Sequence, residues 1–181
     1  MKKVFAFLVL IIASLNLGAQ VSPAKKDTVE VISEFKNLYH YQNYYISGQP
    51  VYETLQWLHS RGVHVIINLR SDKENADFTA GAFNEVNVSK DMGFKYYSIP
   101  VDGTKDYTPA KLDTLSILLD KNDQIFLHCT SAGRATDFFM AYLVKSKGYS
   151  VDEAAEIGRK LRFSLPLEKL LDTKITLEVH K

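Results

Sequence analysis

The sequence holds a single cysteine, Cys129, in 181 residues. One thiol cannot form an internal disulfide, so the sulfur is either a small buried hydrophobe or a reactive group. An excess of charge is also missing: 22 basic and 21 acidic residues leave a net charge of +1. Without a basic stripe, nucleic acid is not an expected partner. His40, His59, His64, His128 and His180 lack ligand-like spacing, so no metal and no other cofactor is expected. There are no internal repeats and no low-complexity tract. Only one long apolar run occurs, from Val4 to Leu17, interrupted by Ser14 and Asn16. It is short for a membrane span.

That run follows Met1-Lys2-Lys3 and precedes Gly18, Ala19 and Gln20, the pattern of a secretory signal peptide. Cleavage is expected near Ala19 or Gln20, the other reading being an uncleaved anchor. No cysteine at the junction argues against a lipid anchor, so no stable membrane anchor is expected after cleavage. Export to a periplasm or beyond the cell follows. Loss of Lys2 and Lys3 leaves 20 basic residues against 21 acidic ones, a nearly neutral mature chain.

With 46% hydrophobic and 24% charged residues, the remainder has ordinary globular composition and fits one domain. Residues 1–20 are read as the signal peptide, 21–38 as linker and N-terminal extension, and 39–181 as the domain. Tyr44 to Ser47 is a short extended piece that runs into the turn Gly48-Gln49-Pro50. The neighbouring tyrosines Tyr39, Tyr41, Tyr44 and Tyr45 read as edge-strand packing. Helical spacing marks residues 51–61 and 79–92, a helix from Pro109 with Leu112, Leu115, Leu118 and Leu119 on its inner face, and residues 135–147. Thr108 caps the third of these, with Pro109 at its first position. Apolar runs at 63–69, 94–101 and 124–128 read as strands suited to burial in a parallel sheet. Ser150 and Glu153 form a capping box ahead of another helix, and Pro166 opens a last one. Alternation of strands and helices predicts an α/β fold, a central mostly parallel sheet with helices on both faces.

In such sheets ligands bind beyond the carboxyl ends of the strands. Cys129, Asp102 and Arg70 each follow a predicted strand, so the topology draws them to one rim. Cys129 closes the run Ile125-Phe126-Leu127-His128 and opens a loop of small residues, Thr130-Ser131-Ala132-Gly133, before Arg134. A helix N-terminus follows, with unpaired N–H groups and a positive dipole end. This setting favours a thiolate and binds an oxyanion at the same place. Cys129 is thus the candidate nucleophile, and Arg134 the planar fork for an oxyanion. Thr130, Ser131, Ala132 and Gly133 are the candidate cradle. Thr130, Ser131 and Thr136 carry hydroxyls suited to bonding the thiolate or to capping the helix. Asp102 is the first candidate for general acid and Asp106 the second. Arg70, with Asp72, either flanks the substrate or forms a surface ion pair. His128 reads as a buried histidine bonding backbone around the loop.

Four segments together resemble a known family: His128-Cys129-Thr130-Ser131-Ala132-Gly133-Arg134, Ile46-Ser47-Gly48-Gln49-Pro50, Val65-Ile66-Ile67-Asn68-Leu69-Arg70 and Tyr97-Ser98-Ile99-Pro100-Val101. They are similar to bacterial beta-lactamase-hydrolase-like domains, relatives of the dual-specificity protein tyrosine phosphatases. The resemblance implies a cysteine-phosphatase-like fold from about Tyr39 onward. It also implies hydrolysis of phosphomonoesters by Cys129, Arg134 and Asp102. Cysteine phosphatases place five residues between cysteine and arginine, and Ser or Thr after the arginine. Here four residues intervene and Ala135 follows Arg134. Rhodanese-type sulfurtransferases use the shorter loop. Three functions therefore stand: a phosphatase acting on a phosphorylated protein or small molecule, a sulfurtransferase drawing on a sulfane-sulfur donor, and a non-catalytic anion-binding module.

Overall fold

The computed structural model describes residues 28–163 and 167–175. The expected signal peptide, residues 21–27 of the linker and Pro166 lie outside the described residues. A six-stranded mixed sheet organises the chain. Its strands are β1 (Glu30–Ile32), β2 (Leu38–Tyr41), β3 (Tyr44–Ser47), β4 (Val65–Asn68), β5 (Lys95–Ser98) and β6 (Ile125–His128), in the spatial order β1-β2-β3-β6-β4-β5. β1, β2 and β3 pair antiparallel, whereas β3, β6, β4 and β5 run parallel. The helices are α1 (Tyr52–Ser60), α2 (Asp72–Gly81), α3 (Glu85–Asp91), α4 (Pro109–Lys121), α5 (Gly133–Lys147), α6 (Val151–Lys160) and α7 (Glu168–Leu171).

Alternation along the strands makes two cores. Successive side chains in a strand point to opposite faces. Val65, Ile67, Ile125, Leu127, Tyr44 and Ile46 pack on the face covered by Leu112 and Leu115 of α4 and Phe138 and Tyr142 of α5. Ile66, Phe126 and Tyr45 pack on the other face, against Leu55 and Leu58 of α1 and Val88 of α3. Helices therefore cover both faces, and the central strands are apolar on both sides, as the continuous runs required.

Three features differ from the sequence expectation. The single helix expected over residues 79–92 is two helices, and the first begins much earlier. Ser71 caps α2: its hydroxyl accepts from the Glu74 N–H, and the Glu74 carboxylate accepts from the Ser71 N–H. α2 ends at Gly81, and Asn84 caps α3 anew by accepting from Asn87 N–H. The sheet also extends beyond β3 through β2 and β1, where Tyr39 pairs with Ile46 and Tyr41 with Tyr44. The expected strand over residues 94–101 is paired only at Lys95–Ser98.

Register aligns the ends of the parallel strands. Ser47 and Asn68 both sit opposite His128, and Ser98 sits opposite Asn68. The turns that follow these residues therefore share one rim.

Candidate active site

The Cys129 loop is woven into that rim by backbone. Cys129 N–H donates to Ser47 O at 3.3 Å, and Gln49 N–H donates to Thr130 O at 3.1 Å. Gly48 forms an isolated bridge with Ser131. A Cβ on Gly48 would stand 3.0 Å from Thr130 O, so the turn after β3 needs glycine to approach the loop this closely. Ala132 caps α5 in the left-handed conformation, at φ 73°. Thr130 and Ser131 are exposed, whereas Ala132 and Gly133 are buried.

The Cys129 side chain is 1% exposed and joins the core that includes Leu127, Ala135 and Phe138. It is not isolated among hydrocarbon, because the Arg134 guanidinium lies near enough to interact with it electrostatically. Arg134 is held by a set of oxygens. Its Nη1 donates to Glu74 Oε2 at 2.9 Å and to Val101 O at 2.5 Å. Its Nη2 donates to Glu74 Oε1 at 2.7 Å and to Thr130 Oγ1 at 2.8 Å. Glu74 and Val101 thus grip the far end of the fork and set its orientation, leaving the Nε–H edge for other work. Burial lowers the Arg134 pKa, but the Glu74 and Cys129 contacts outweigh it, so the net shift is upward. Glu74 is pushed down to about 2: burial opposes this, and hydrogen bonds from Arg134, Thr130 and the Ser71 backbone overcome it. The pair is ionised at any ordinary pH.

A cavity of about 530 Å³ opens beside Arg134, lined also by Ser71, Lys73, Glu74, Asp77, Asp102 and Gly103. The rim therefore brings Asp102 and Arg134 to one cavity. Cys129 is not on its wall and meets it through Arg134. Asp102 itself is exposed, and its carboxylate accepts from Lys105 Nζ at 2.5 Å. Asp106 is tied down within the same turn: its carboxylate accepts from Asp102 N–H at 2.8 Å and pairs with Lys111 at 3.1 Å.

Arg70 takes a different place from the one expected at the substrate's flank. It is 6% exposed, and its guanidinium donates to Gln49 Oε1 and, at 2.6 Å, to Glu74 O. Asn68 builds this turn by accepting from Arg70 N–H at 2.7 Å. Asp72 opens α2 and is exposed, so the surface pair considered for Arg70 does not describe it. Thr136 is fully buried, with no hydrogen-bond partner for Oγ1 among the described residues.

His128 does bond the loop backbone: its Nδ1 lies 3.4 Å from Cys129 O. Its Nε2 lies 2.8 Å from Glu85 Oε1, a partner that sequence reasoning missed. Glu74 and Gln49 were missed likewise. For Glu74 a local signal existed, the Ser-x-x-Glu spacing of a capping box at Ser71. For Glu85 and Gln49 no local signal exists, since their partners are distant in sequence.

No cluster of His, Cys, Asp and Glu among the described residues is placed to hold a metal ion. No curated protein matches the chain by sequence. Solved structures match its fold. The PTPMT1 structure in complex with PI(5)P has a TM-score of 0.62 at 20% identity, covering 72% of this chain and 88% of that one. A putative phosphatase from Shewanella putrefaciens has a TM-score of 0.58 at 21% identity, covering 76% of this chain and 89% of that one. TpbA of P. aeruginosa in complex with pTyr has a TM-score of 0.58 at 15% identity, covering 76% of this chain and 80% of that one. These likenesses establish a fold shared with cysteine phosphatases. Residues 23–165 match the family model described as a DSP-PTPase phosphatase fused to NAD+ kinase, and the chain belongs to this dual-specificity-type phosphatase family.

Proposed function

We propose that the protein is an exported, cysteine-dependent phosphatase that hydrolyses phosphomonoesters through a covalent intermediate on Cys129. The observation that carries this reading is Arg134, clamped by Glu74 and Val101 O at the end of the loop that Cys129 opens. A fork held in advance at a sulfur nucleophile suits an oxyanion that gains charge during reaction. The Cys129 thiolate attacks phosphorus, forming an S–P bond as the P–O bond to the leaving group breaks. Asp102 donates its proton to the departing oxygen. Water then attacks the thiophosphate, Asp102 takes the water's proton, and inorganic phosphate leaves with the thiolate restored. Phosphotyrosine and a phosphoinositide bind to fold relatives, so a phosphorylated protein or lipid headgroup is the substrate class we assign. Export is our reading of residues 1–20 alone.

The four-residue loop keeps sulfur transfer as a second reading, with a persulfide on Cys129. One experiment separates the two. The mature protein is given an aryl phosphate and, separately, thiosulfate. Phosphate release that Cys129→Ser lowers at least about 10⁴-fold supports the phosphatase. A gain of one sulfur atom in intact mass, without phosphate release, overturns it.

A further inference from the structure

Among the deeply buried acids that the reaction proposed above leaves without a part is Glu85, at the start of α3. It is 5% exposed, and it belongs to neither the cysteine loop nor the strands that carry the rim. We propose that Glu85 is a positioning residue, which acts through His128 and Gln49 to hold the backbone carbonyls of Cys129 and Thr130, where the loop leaves the nucleophile.

The contacts form a closed circuit. Glu85 Oε1 lies 2.8 Å from His128 Nε2, and Oε2 accepts from Gln49 Nε2 at 3.0 Å. His128 is fully buried, its ring stacked on Phe126 and its Nδ1 3.4 Å from Cys129 O. Gln49 holds the opposite side, since its N–H donates to Thr130 O. Its Oε1 accepts from Arg70, which also donates to Glu74 O, and Glu74 grips Arg134. The path from Arg134 therefore runs through Glu74, Arg70, Gln49 and Glu85 to His128, and so back to Cys129.

Chemistry explains why a carboxylate stands here. It offers acceptors only, so its Oε2 takes an N–H from Gln49 while its Oε1 faces His128 Nε2 as a charge partner. Burial pushes the Glu85 pKa up, but the His128 charge, the bonds from His128 and Gln49, and the Arg70 charge bring it below the usual value. A buried ion pair is a weak source of stability compared with well-packed apolar side chains. Its worth lies in geometry. The two anchored carbonyls, of Cys129 and Thr130, open the loop that leaves the nucleophile, and misplacement by about 1 Å costs on the order of 100-fold in rate.

The inference rests on the phosphatase reading, and its test is arranged to fail separately. Steady-state hydrolysis of an aryl phosphate is measured for wild type, Glu85→Gln, His128→Asn and the double variant, beside thermal melting. The amide of Glu85→Gln turns one acceptor into a donor. His128→Asn keeps a group near Cys129 O and removes the nitrogen facing Glu85. We expect kcat to fall about 30-fold in Glu85→Gln with KM within about threefold, and the double variant to fall no more than about threefold below the worse single. Unchanged kcat with only a lowered melting temperature overturns the inference, as do single effects that multiply in the double. If Glu85→Gln does not fold, Gln49→Ala reads the other arm, and kcat within about twofold of wild type overturns it equally. A wild type that releases no phosphate overturns the phosphatase reading instead. Binding of inorganic phosphate by calorimetry then decides: affinity weakened about tenfold in Glu85→Gln sustains the positioning role, and equal affinity, or no binding to wild type, ends it.

Discussion

The two acidic contributions to the rim are built in opposite ways. On the Cys129 side the charged groups hold one another: Arg134 is gripped by Glu74 and Val101, Glu85 faces His128 and takes a bond from Gln49, and Arg70 bonds Gln49 and Glu74. On the Asp102 side the chain is a short 3₁₀ turn, Gly103–Asp106, with no buried residue. There Asp102 pairs with Lys105 in a contact exposed on both sides. Such exposed pairs contribute little, roughly 0 to 1 kcal/mol. The contrast matches the two jobs proposed for Cys129 and Asp102. A nucleophile and its oxyanion fork gain from being held before substrate arrives. A proton donor must follow the leaving group, so a weakly tethered carboxylate is sufficient.

Arg134→Lys tests the rigid side hardest. Lysine is a point charge without a planar fork, so it cannot bond Glu74 bidentately while also reaching Val101 and Thr130. We expect kcat/KM to fall about 10³-fold, the upper end for loss of a charge-stabilising donor set. Rates within tenfold of wild type would show that charge alone suffices and that the clamp is dispensable. Asp102→Asn tests the loose side and has a smaller, substrate-dependent effect. Loss of a general acid should slow alkyl phosphates about 100-fold and leave activated aryl esters within about threefold. Equal slowing of both removes Asp102 from the role. The same selective pattern in Asp106→Asn would move the acid four residues along the turn.

The same contrast governs what the sequence disclosed. The Cys129–Arg134 loop announces itself because strand, small-residue turn, arginine and helix are contiguous. Thr108-Pro109 and Ser150-Glu153 marked helix starts for the same local reason, and both stand as read. The clamp was hidden because Glu74 lies sixty residues before Arg134 and Glu85 more than forty before His128. A single sequence carries no record of such pairs until the strand register aligns their elements. Arg70 illustrates the limit. Its position after β4 pointed to the rim correctly, but only the fold reveals that its side chain turns inward to Gln49 and Glu74. The tyrosines of β2 read as edge-strand packing, but β1 lay within the stretch read as linker and extension, because three residues carry no period until β2 gives them an edge to pair with.

Even the rigid side holds one poorly suited residue. Ala132 adopts a left-handed conformation at the turn into α5, where a Cβ is unfavourable by roughly 1–2 kcal/mol. Ala132→Gly relieves that strain but gives the unfolded chain more freedom, which offsets about 0.4–1 kcal/mol. The net expectation is a gain of about 0.5–1 kcal/mol in chemical denaturation. If the bonds around the loop alone define its shape, kcat should stay within about twofold of wild type. If the alanine Cβ helps to stiffen the loop, stability will rise while kcat falls, since freedom regained at residue 132 lies between the nucleophile and its fork. Either result locates the rigidity of the cysteine side, in its network of side chains or in the backbone strain they contain.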